Sequence, residues 1–125
     1  MTRRLLVVDD EPDVRAVVRL SLEHVGGWRV VDVDGGLAGV EVARREPPDA
    51  VVLDVMMPGT DGPATFRLLQ SDPRTADIPV VMLTARVDRA DRDVWLAMGV
   101  RAVLAKPFDP VQLPAQLRHG LGWEA

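Results

Sequence analysis

The sequence contains no cysteine, no apolar run long enough to cross a bilayer and no block of basic residues. Without cysteine there is no disulfide framework, thiolate nucleophile or zinc-thiolate site. A bilayer span needs about 20 consecutive apolar residues, so membrane insertion is not expected. The 15 basic and 19 acidic residues give a net charge of −4. Because nucleic-acid affinity depends on neutralising phosphates, direct binding of DNA or RNA is not expected either.

The N-terminus superficially resembles a signal peptide, since two arginines precede the apolar run from Leu5 to Val8. An acidic residue follows at Asp9, however, and no small-residue cleavage site comes after it. We therefore expect a mature N-terminus and a cytoplasmic location. The 125 residues suit one compact domain, and the 47% apolar and 27% charged content is typical of soluble globular proteins.

Five short apolar runs recur along the chain, and each is separated from the next by a stretch long enough for a helix. Runs that are apolar throughout, without alternation, are typical of strands buried on both faces. We therefore predict five strands that alternate with five helices. The strands are predicted at Leu5 to Val8, Val30 to Val33, Val51 to Leu53, Val80 to Leu83 and Ala102 to Ala105.

The segments between the strands carry helix signals. The first helix is predicted to begin at Pro12 and to stop at Gly26-Gly27. Its inward stripe comprises Val14, Val17, Val18, Ser21, Leu22 and Val25. The last helix has Asp109 as a plausible cap and Pro110 as its first residue, but Pro114 removes a helical hydrogen bond. Either that helix starts later or its first turn is distorted. The other helices are predicted from Leu37 to Arg45, from Gly62-Pro63 onward, and from Asp88 to Met98.

Strict alternation of strands and helices indicates right-handed crossovers and a parallel sheet that is covered on both faces. For five strands in a chain of this size, we predict a doubly wound, flavodoxin-like α/β fold with strand order 2-1-3-4-5. Ligands of such folds bind at the carboxyl ends of the strands.

Polar residues stand at four of these carboxyl ends. Strand one runs into Asp9-Asp10-Glu11, strand three into Asp54, strand four into Thr84 and strand five into Lys106-Pro107. Carboxylates that lie close together repel one another unless a cation compensates their charge. Oxygen ligands without histidine or cysteine favour Mg²⁺, with Mn²⁺ or Ca²⁺ as alternatives. One carboxylate could then act as a nucleophile toward phosphorus.

Four motifs together resemble the receiver domains of two-component response regulators, and the resemblance covers the whole chain, residues 1–125, as one domain. Each motif lies at the end of an independently predicted strand. They are VVDDEP at Val7 to Pro12, LDVMMPGTDG at Leu53 to Gly62, LTA at Leu83 to Ala85 and AKPF at Ala105 to Phe108.

The resemblance implies a role for each matching residue. Asp54 would be the phosphoacceptor, and Mg²⁺ or Mn²⁺ would be held by Asp54 together with three further groups. Those groups are the side chains of Asp9 and Asp10 and the backbone carbonyl of Met56. The Thr84 hydroxyl and the Lys106 ammonium would bind phosphoryl oxygens, and the peptide bond from Lys106 to Pro107 is typically cis in this family.

The sequence departs from the family pattern at one position. Two further positions, which vary among members of the family, flank the phosphoryl site. An aromatic residue usually stands three positions before the strand-five lysine, where this chain has Val103. A ring that swings inward therefore cannot be the switch, and we expect movement of helix four and of the loop after Thr84 instead. Met56 and Arg86 occupy the positions that tune the lifetime of the phosphorylated state, and we expect a long lifetime here.

The resemblance implies a signalling switch that is not an enzyme in its own right. A histidine kinase or a histidine phosphotransfer protein would phosphorylate Asp54, and the face formed by helix four, strand five and helix five would change its affinity for a downstream protein. A phosphorylation-dependent homodimer is left open. Three alternatives are a phosphorylation-independent pseudo-receiver, a metal-dependent phosphohydrolase and a flavin-binding module. Trp28, Trp95 and Trp123 are scattered, so we expect them to serve packing, although Trp95, if exposed on helix four, could anchor a partner.

Overall fold

The computed structural model describes residues 2–85 and 88–123, and these residues form a five-stranded parallel sheet with helices on both faces. The strands are β1 (Arg4–Val8), β2 (Arg29–Val33), β3 (Ala50–Asp54), β4 (Val80–Thr84) and β5 (Ala102–Ala105). Each predicted apolar run lies within one of them. Along the sheet the order is β2-β1-β3-β4-β5, so the predicted flavodoxin-like order is confirmed.

The predicted helices are confirmed in number and order within the described residues. They are α1 (Pro12–Leu20), α2 (Gly36–Arg45), α3 (Gly62–Gln70), α4 (Arg89–Met98) and α5 (Leu113–Leu121), and a π-helical segment at Ser21–Val25 continues α1. The structure contains no helix, in its described part, that is both long and apolar enough to span a membrane.

Two apolar cores lie on opposite faces of the sheet because successive residues of a strand point to opposite sides. In β1, Leu6 and Val8 pack with residues of α2, α3 and α4, whereas Leu5 and Val7 pack with residues of α1 and α5. Strands β1, β3 and β4 are therefore buried on both faces, which explains why their sequences are apolar except at one terminal residue each.

Close packing against β1 accounts for a glycine in the middle of α2. A Cβ atom at Gly39 would lie 2.8 Å from Cγ2 of Val8. Glycine inside a helix lowers helix stability relative to alanine. The close contact with Val8 explains why no larger residue stands here.

The start of α5 differs from the prediction. The helix begins at Leu113, not at Pro110, and Pro114 lies in its first turn, where a missing N–H costs nothing. Asp109 still organises the preceding turn, because its carboxylate accepts a hydrogen bond from the backbone N–H of Val111 at 2.8 Å. Of the two outcomes that Pro114 allowed, the delayed start is the correct one.

One prediction about a buried face was wrong, and one alternative for a tryptophan is excluded. Val17 and Val25 were placed on the inward stripe of the first helix, yet both are exposed, while Val18 and Leu22 are buried as expected. Trp95 is only 9% exposed and packs in the core beneath α4. It is therefore not an exposed anchor for a partner.

Candidate functional site

The predicted site residues come together at the C-terminal ends of the strands. Asp9 follows β1 directly, Asp54 is the last residue of β3, Thr84 is the last of β4 and Lys106 follows β5. Asp9 and Asp54 are only 2% and 3% exposed, and Thr84 is fully buried. Because the strands are parallel and adjacent, their ends meet although the residues are far apart in sequence.

Lys106 bridges two of the carboxylates. Its Nζ lies 3.1 Å from Oδ2 of Asp9 and 3.1 Å from Oδ1 of Asp54. Oε1 of the exposed Glu11 lies further away, at 3.8 Å. Lys106 and Asp9 are 97 positions apart in the chain, so this contact depends on the complete sheet.

Lys106 is the only lysine among the 15 basic residues of the chain, and all the others are arginines. An ammonium group is a compact charge with three rotatable donors, whereas a guanidinium is a rigid planar fork. The narrow space between two buried carboxylates suits the compact group. This use of a single lysine is a sequence signal that supports a special role for the position.

Thr84 is tied to Lys106 through the backbone. Thr84 pairs with Ala105 in the register of β4 and β5, and the backbone N–H of Lys106 donates to the carbonyl oxygen of Thr84 at 2.8 Å. The hydroxyl-bearing residue and the ammonium-bearing residue are therefore held next to each other by the sheet itself. The peptide bond between Lys106 and Pro107 is cis.

Four acidic residues form a cluster that suits a hard cation. Ligand oxygens of Asp9, Asp10, Glu11 and Asp54 all lie within 4.8 Å of one another. Oδ1 of Asp10 and Oδ2 of Asp54 are buried and have no hydrogen-bond partner among the described residues. Buried carboxylate oxygens without a donor are costly, and a divalent cation would satisfy them. The cluster therefore fits Mg²⁺ or Mn²⁺.

The charges of the cluster perturb the pKa values of two groups. Burial, together with the nearby charge of Asp9, raises the pKa of Asp54 to about 6 against the opposing effect of Lys106. Burial on its own lowers the pKa of Lys106, but hydrogen bonds to Asp9 and Asp54 outweigh it and raise the pKa above its usual value. One ammonium group thus compensates the acidic cluster only in part.

A glycine allows α3 to start directly against the site. A Cβ atom at Gly62 would lie 2.6 Å from the carbonyl oxygen of Asp54 and 2.7 Å from Cα of Val55. Asp61 caps the helix, since its carboxylate accepts a hydrogen bond from the N–H of Ala64 at 2.9 Å. The Asp61-Gly62 pair therefore forms the start of α3.

The remaining predicted positions lie around this centre. Met56 stands two residues after Asp54, and its side chain is 64% exposed. Val103 is buried in β5, in the same core as Trp95. Arg86 lies outside the described residues.

Sequence reasoning missed two residues that contact the site. Glu11 was noted at the strand end but not as a fourth member of the acidic cluster. Arg15 of α1 donates a hydrogen bond to the backbone of Asp9, and its position among other arginines gave no signal.

Known proteins resemble this chain over nearly its whole length. The family model described as the response regulator receiver domain matches residues 5–118. The phosphate regulon transcriptional regulatory protein PhoB of Klebsiella pneumoniae is 39% identical over 118 residues, which are 94% of this chain and 51% of that protein. The response regulator PleD of Caulobacter vibrioides is 42% identical over 120 residues, which are 94% of this chain and 26% of that protein. The chain thus spans about half the length of these curated relatives, or less.

Solved structures share the fold closely. The receiver domain of the sensor histidine kinase PA1611 from Pseudomonas aeruginosa has a TM-score of 0.85 at 30% identity, with 98% of this chain and 99% of that chain covered. It was crystallised with a magnesium ion coordinated in its active site cleft. The chemotaxis protein CheY4 of Vibrio cholerae has a TM-score of 0.89 at 25% identity, with coverage of 95% and 98%. Sequence, fold and family match agree: the chain belongs to the response regulator receiver domain family.

Proposed function

We propose that residues 1–125 form one receiver domain that acts as a cytoplasmic phosphorylation switch, with Asp54 as the phosphoacceptor. The observation that carries this proposal is the position of Asp54. Its carboxylate is buried, contacts the ammonium of Lys106 at 3.1 Å and belongs to a cluster of four acidic residues. A partly desolvated carboxylate beside a cation site is a suitable nucleophile for phosphorus.

The proposed reaction transfers a phosphoryl group from phosphohistidine of a sensor kinase or a phosphotransfer protein. An oxygen of the Asp54 carboxylate attacks phosphorus, so that an O–P bond forms. The P–N bond breaks, and the imidazole nitrogen leaves with its electron pair. Lys106 and the hydroxyl of Thr84 bind phosphoryl oxygens of the product, since both groups are donors at the same edge of the sheet. The domain turns over no external substrate and assists only its own phosphorylation and dephosphorylation.

The acidic cluster would hold Mg²⁺, with Mn²⁺ as an alternative, through Asp9, Asp10 and Asp54 and the carbonyl oxygen of Met56. The two buried carboxylate oxygens without a hydrogen bond support this assignment. A divalent cation bound there supplies positive charge that offsets the negative charge of the transferring group.

The output of the switch is a changed affinity for another protein. Phosphorylation adds about 1.5 to 2 negative charges at Asp54. Because Val103 carries no ring, we expect the signal to leave through Thr84, the loop after β4 and α4. The face formed by α4, β5 and α5 would then bind a downstream protein or a second copy of this chain.

Protein partners are favoured over nucleic acid for this domain because its net charge is −4. The PhoB relative is named a transcriptional regulatory protein, but this chain aligns with only 51% of it. That name therefore carries no conclusion about DNA binding by residues 1–125.

Intact mass after incubation with Mg²⁺ and a small acyl-phosphate donor tests the proposal. Wild type should gain one phosphoryl group, and Asp54→Asn should gain none. Asp61→Asn is a matched control, since asparagine also caps helices and Asp61 belongs to the start of α3. It should gain one phosphoryl group as wild type does. An unmodified wild type would favour the pseudo-receiver, and equal modification of Asp54→Asn would exclude Asp54 as the acceptor.

A further inference from the structure

Arg15 connects α1 to the acidic end of β1. Its Nη1 donates a hydrogen bond to the backbone carbonyl oxygen of Asp9 at 2.9 Å, and its Nε donates to Oδ2 of Asp32 at 3.0 Å. Asp32 belongs to β2, where it pairs with Val7 of β1. The guanidinium therefore spans a helix, a strand and the loop that carries the candidate metal ligands.

The carbonyl group that Arg15 holds is part of the peptide unit between Asp9 and Asp10. Since a peptide unit is planar, fixing its carbonyl oxygen also fixes the direction in which the chain enters Asp10. The other polar groups of Asp9 are held as well. Its N–H donates to the carbonyl oxygen of Val33 at 3.2 Å, and its carboxylate accepts from the N–H of Glu11 at 2.9 Å and from Lys106. The N–H, the carbonyl and the carboxylate of Asp9 are thus all held by hydrogen bonds.

The side chain of Asp10 has no comparable restraint. Its Oδ1 is buried and has no hydrogen-bond partner among residues 2–85 and 88–123. The backbone that Arg15 holds therefore sets the position from which the Asp10 carboxylate reaches the ion. Because this backbone is already ordered, cation binding has to order only the side chain, which reduces its entropic cost.

Asp32 makes the guanidinium of Arg15 rigid. Its second oxygen, Oδ1, accepts a hydrogen bond from Nη1 of Arg19 at 2.5 Å, and Arg19 also pairs with Glu23 at 3.1 Å. Arg15 and Asp32 are each about 20% exposed, so their contact is partly protected from water. Two donors of one planar fork point at two acceptors, which a lysine could not reproduce.

We propose that Arg15 is a positioning residue for the divalent cation: through the carbonyl of Asp9 it orients the Asp9-Asp10 pair toward the ion. This inference rests on the proposed metal site. The proposed role concerns the geometry of the Asp9-Asp10 pair and not the positive charge of Arg15. Loss of the geometry would weaken Mg²⁺ binding, whereas loss of the charge would strengthen it. A cationic side chain near the site repels Mg²⁺, so its removal would tighten binding if charge were its only contribution.

Isothermal titration of Mg²⁺ into the unphosphorylated chain, near neutral pH and at fixed ionic strength, separates these effects. Arg15→Gln should weaken Mg²⁺ binding by roughly tenfold, the lower end of the range for residues that support a metal ligand. Arg15→Lys keeps the charge but cannot hold both acceptors, and it should lose most of the same affinity. Arg19→Gln is the matched control, since it removes one charge and one ion pair to Asp32 without a contact to Asp9. Because it acts on Arg15 only through Asp32, it should weaken Mg²⁺ binding much less than Arg15→Gln does.

The outcomes distinguish the inference from the proposed function. Unchanged or tighter binding by Arg15→Gln, with normal binding by wild type, would overturn the role of Arg15 and leave the metal site intact. Equal weakening by Arg19→Gln would also overturn it, because the effect would then belong to the ion-pair network. A wild type that binds no Mg²⁺ would overturn the metal site and this inference with it. Circular dichroism of each variant verifies that the affinities refer to folded protein.

Discussion

Lys106 Nζ lies 3.1 Å from Oδ1 of Asp54, although 52 positions separate the two residues. This contact joins the end of β3 to the end of β5 across β4. It places the only lysine of the chain beside the proposed phosphoacceptor. The ammonium compensates part of the buried negative charge before phosphorylation and would bind a phosphoryl oxygen afterwards.

Because the chain has one lysine, isotopic labelling of lysine gives a single side-chain NMR signal. We expect a pH titration of this signal to yield a pKa above the ordinary lysine value, and the stability that Lys106 contributes should be lost as the pH rises through that pKa. In Asp54→Asn the pKa should be lower than in wild type, since one of the two carboxylate partners is gone. A wild-type pKa at or below the ordinary value would contradict the contact.

Asp54→Asn should stabilise the protein in the absence of divalent cations. The pKa of Asp54 is raised from 3.8 to about 6, so at neutral pH the folded state carries a carboxylate that is less favourable than in the unfolded chain. The stability of wild type should therefore fall as the pH rises from about 4 to 6. We expect the variant to gain about 1–3 kcal/mol at neutral pH and less near pH 4, measured by urea unfolding with a chelator present.

Addition of Mg²⁺ should reverse this difference, because the cation stabilises folded wild type through Asp54 and has less affinity for the variant. An Asp54→Asn variant that is less stable than wild type at neutral pH without metal would show that Lys106 compensates the carboxylate fully.

Met56→Asn should shorten the lifetime of the phosphorylated state. The Met56 side chain stands two residues after Asp54 and is 64% exposed, so it can obstruct the approach of a water molecule. An amide side chain there would instead offer hydrogen bonds to that water. We expect a several-fold faster loss of the phosphoryl group, measured by intact mass against time. Leu37→Asn is the control, since Leu37 is equally exposed at 65% but lies on α2. Equal rates of phosphoryl loss in wild type and Met56→Asn would show that Met56 does not obstruct water.

Phosphorylation should alter α4 more than α2. Val103 is buried and has no ring to move, so the response should appear in the backbone of α4 and of the loop that precedes it. Trp95 is the residue of α4 that is buried in the core, and most of the helix is exposed, which leaves α4 few contacts to break. Hydrogen exchange with and without phosphorylation should change in α4 and stay constant in α2. Identical exchange in α4 in both states would refute this route.

Much of the fold could be predicted because the sheet is buried on both faces. A strand such as β3 must then be apolar up to its last residue, Asp54, and that pattern is readable without any knowledge of its neighbours. The site followed from the same pattern, since Asp9, Asp54, Thr84 and Lys106 are the polar residues at which the strands end. The parallel sheet brings these residues, which are distant in sequence, close together in space.

Features that depend on tertiary neighbours could not be predicted. Helical periodicity gave α1 a stripe that was too wide, since Val17 and Val25 lie at its exposed margins. The π-helical turn at Ser21–Val25 cannot be predicted from a pattern of 3.6 residues per turn. Arg15 was missed because its partner is a backbone carbonyl, which has no signature in the sequence.

In the proposed switch, a hard cation and a single ammonium group make the Asp54 carboxylate reactive. A crystal structure with Mg²⁺ and a non-hydrolysable mimic of the acyl phosphate would show whether these groups meet at the phosphoryl site. We predict the mimic on Asp54, with Lys106 and Thr84 on its outer atoms, and Mg²⁺ held by Asp9, Asp10, Asp54 and the carbonyl oxygen of Met56. An ion bound away from the Asp9-Asp10 pair, or a mimic attached to any residue other than Asp54, would contradict the account.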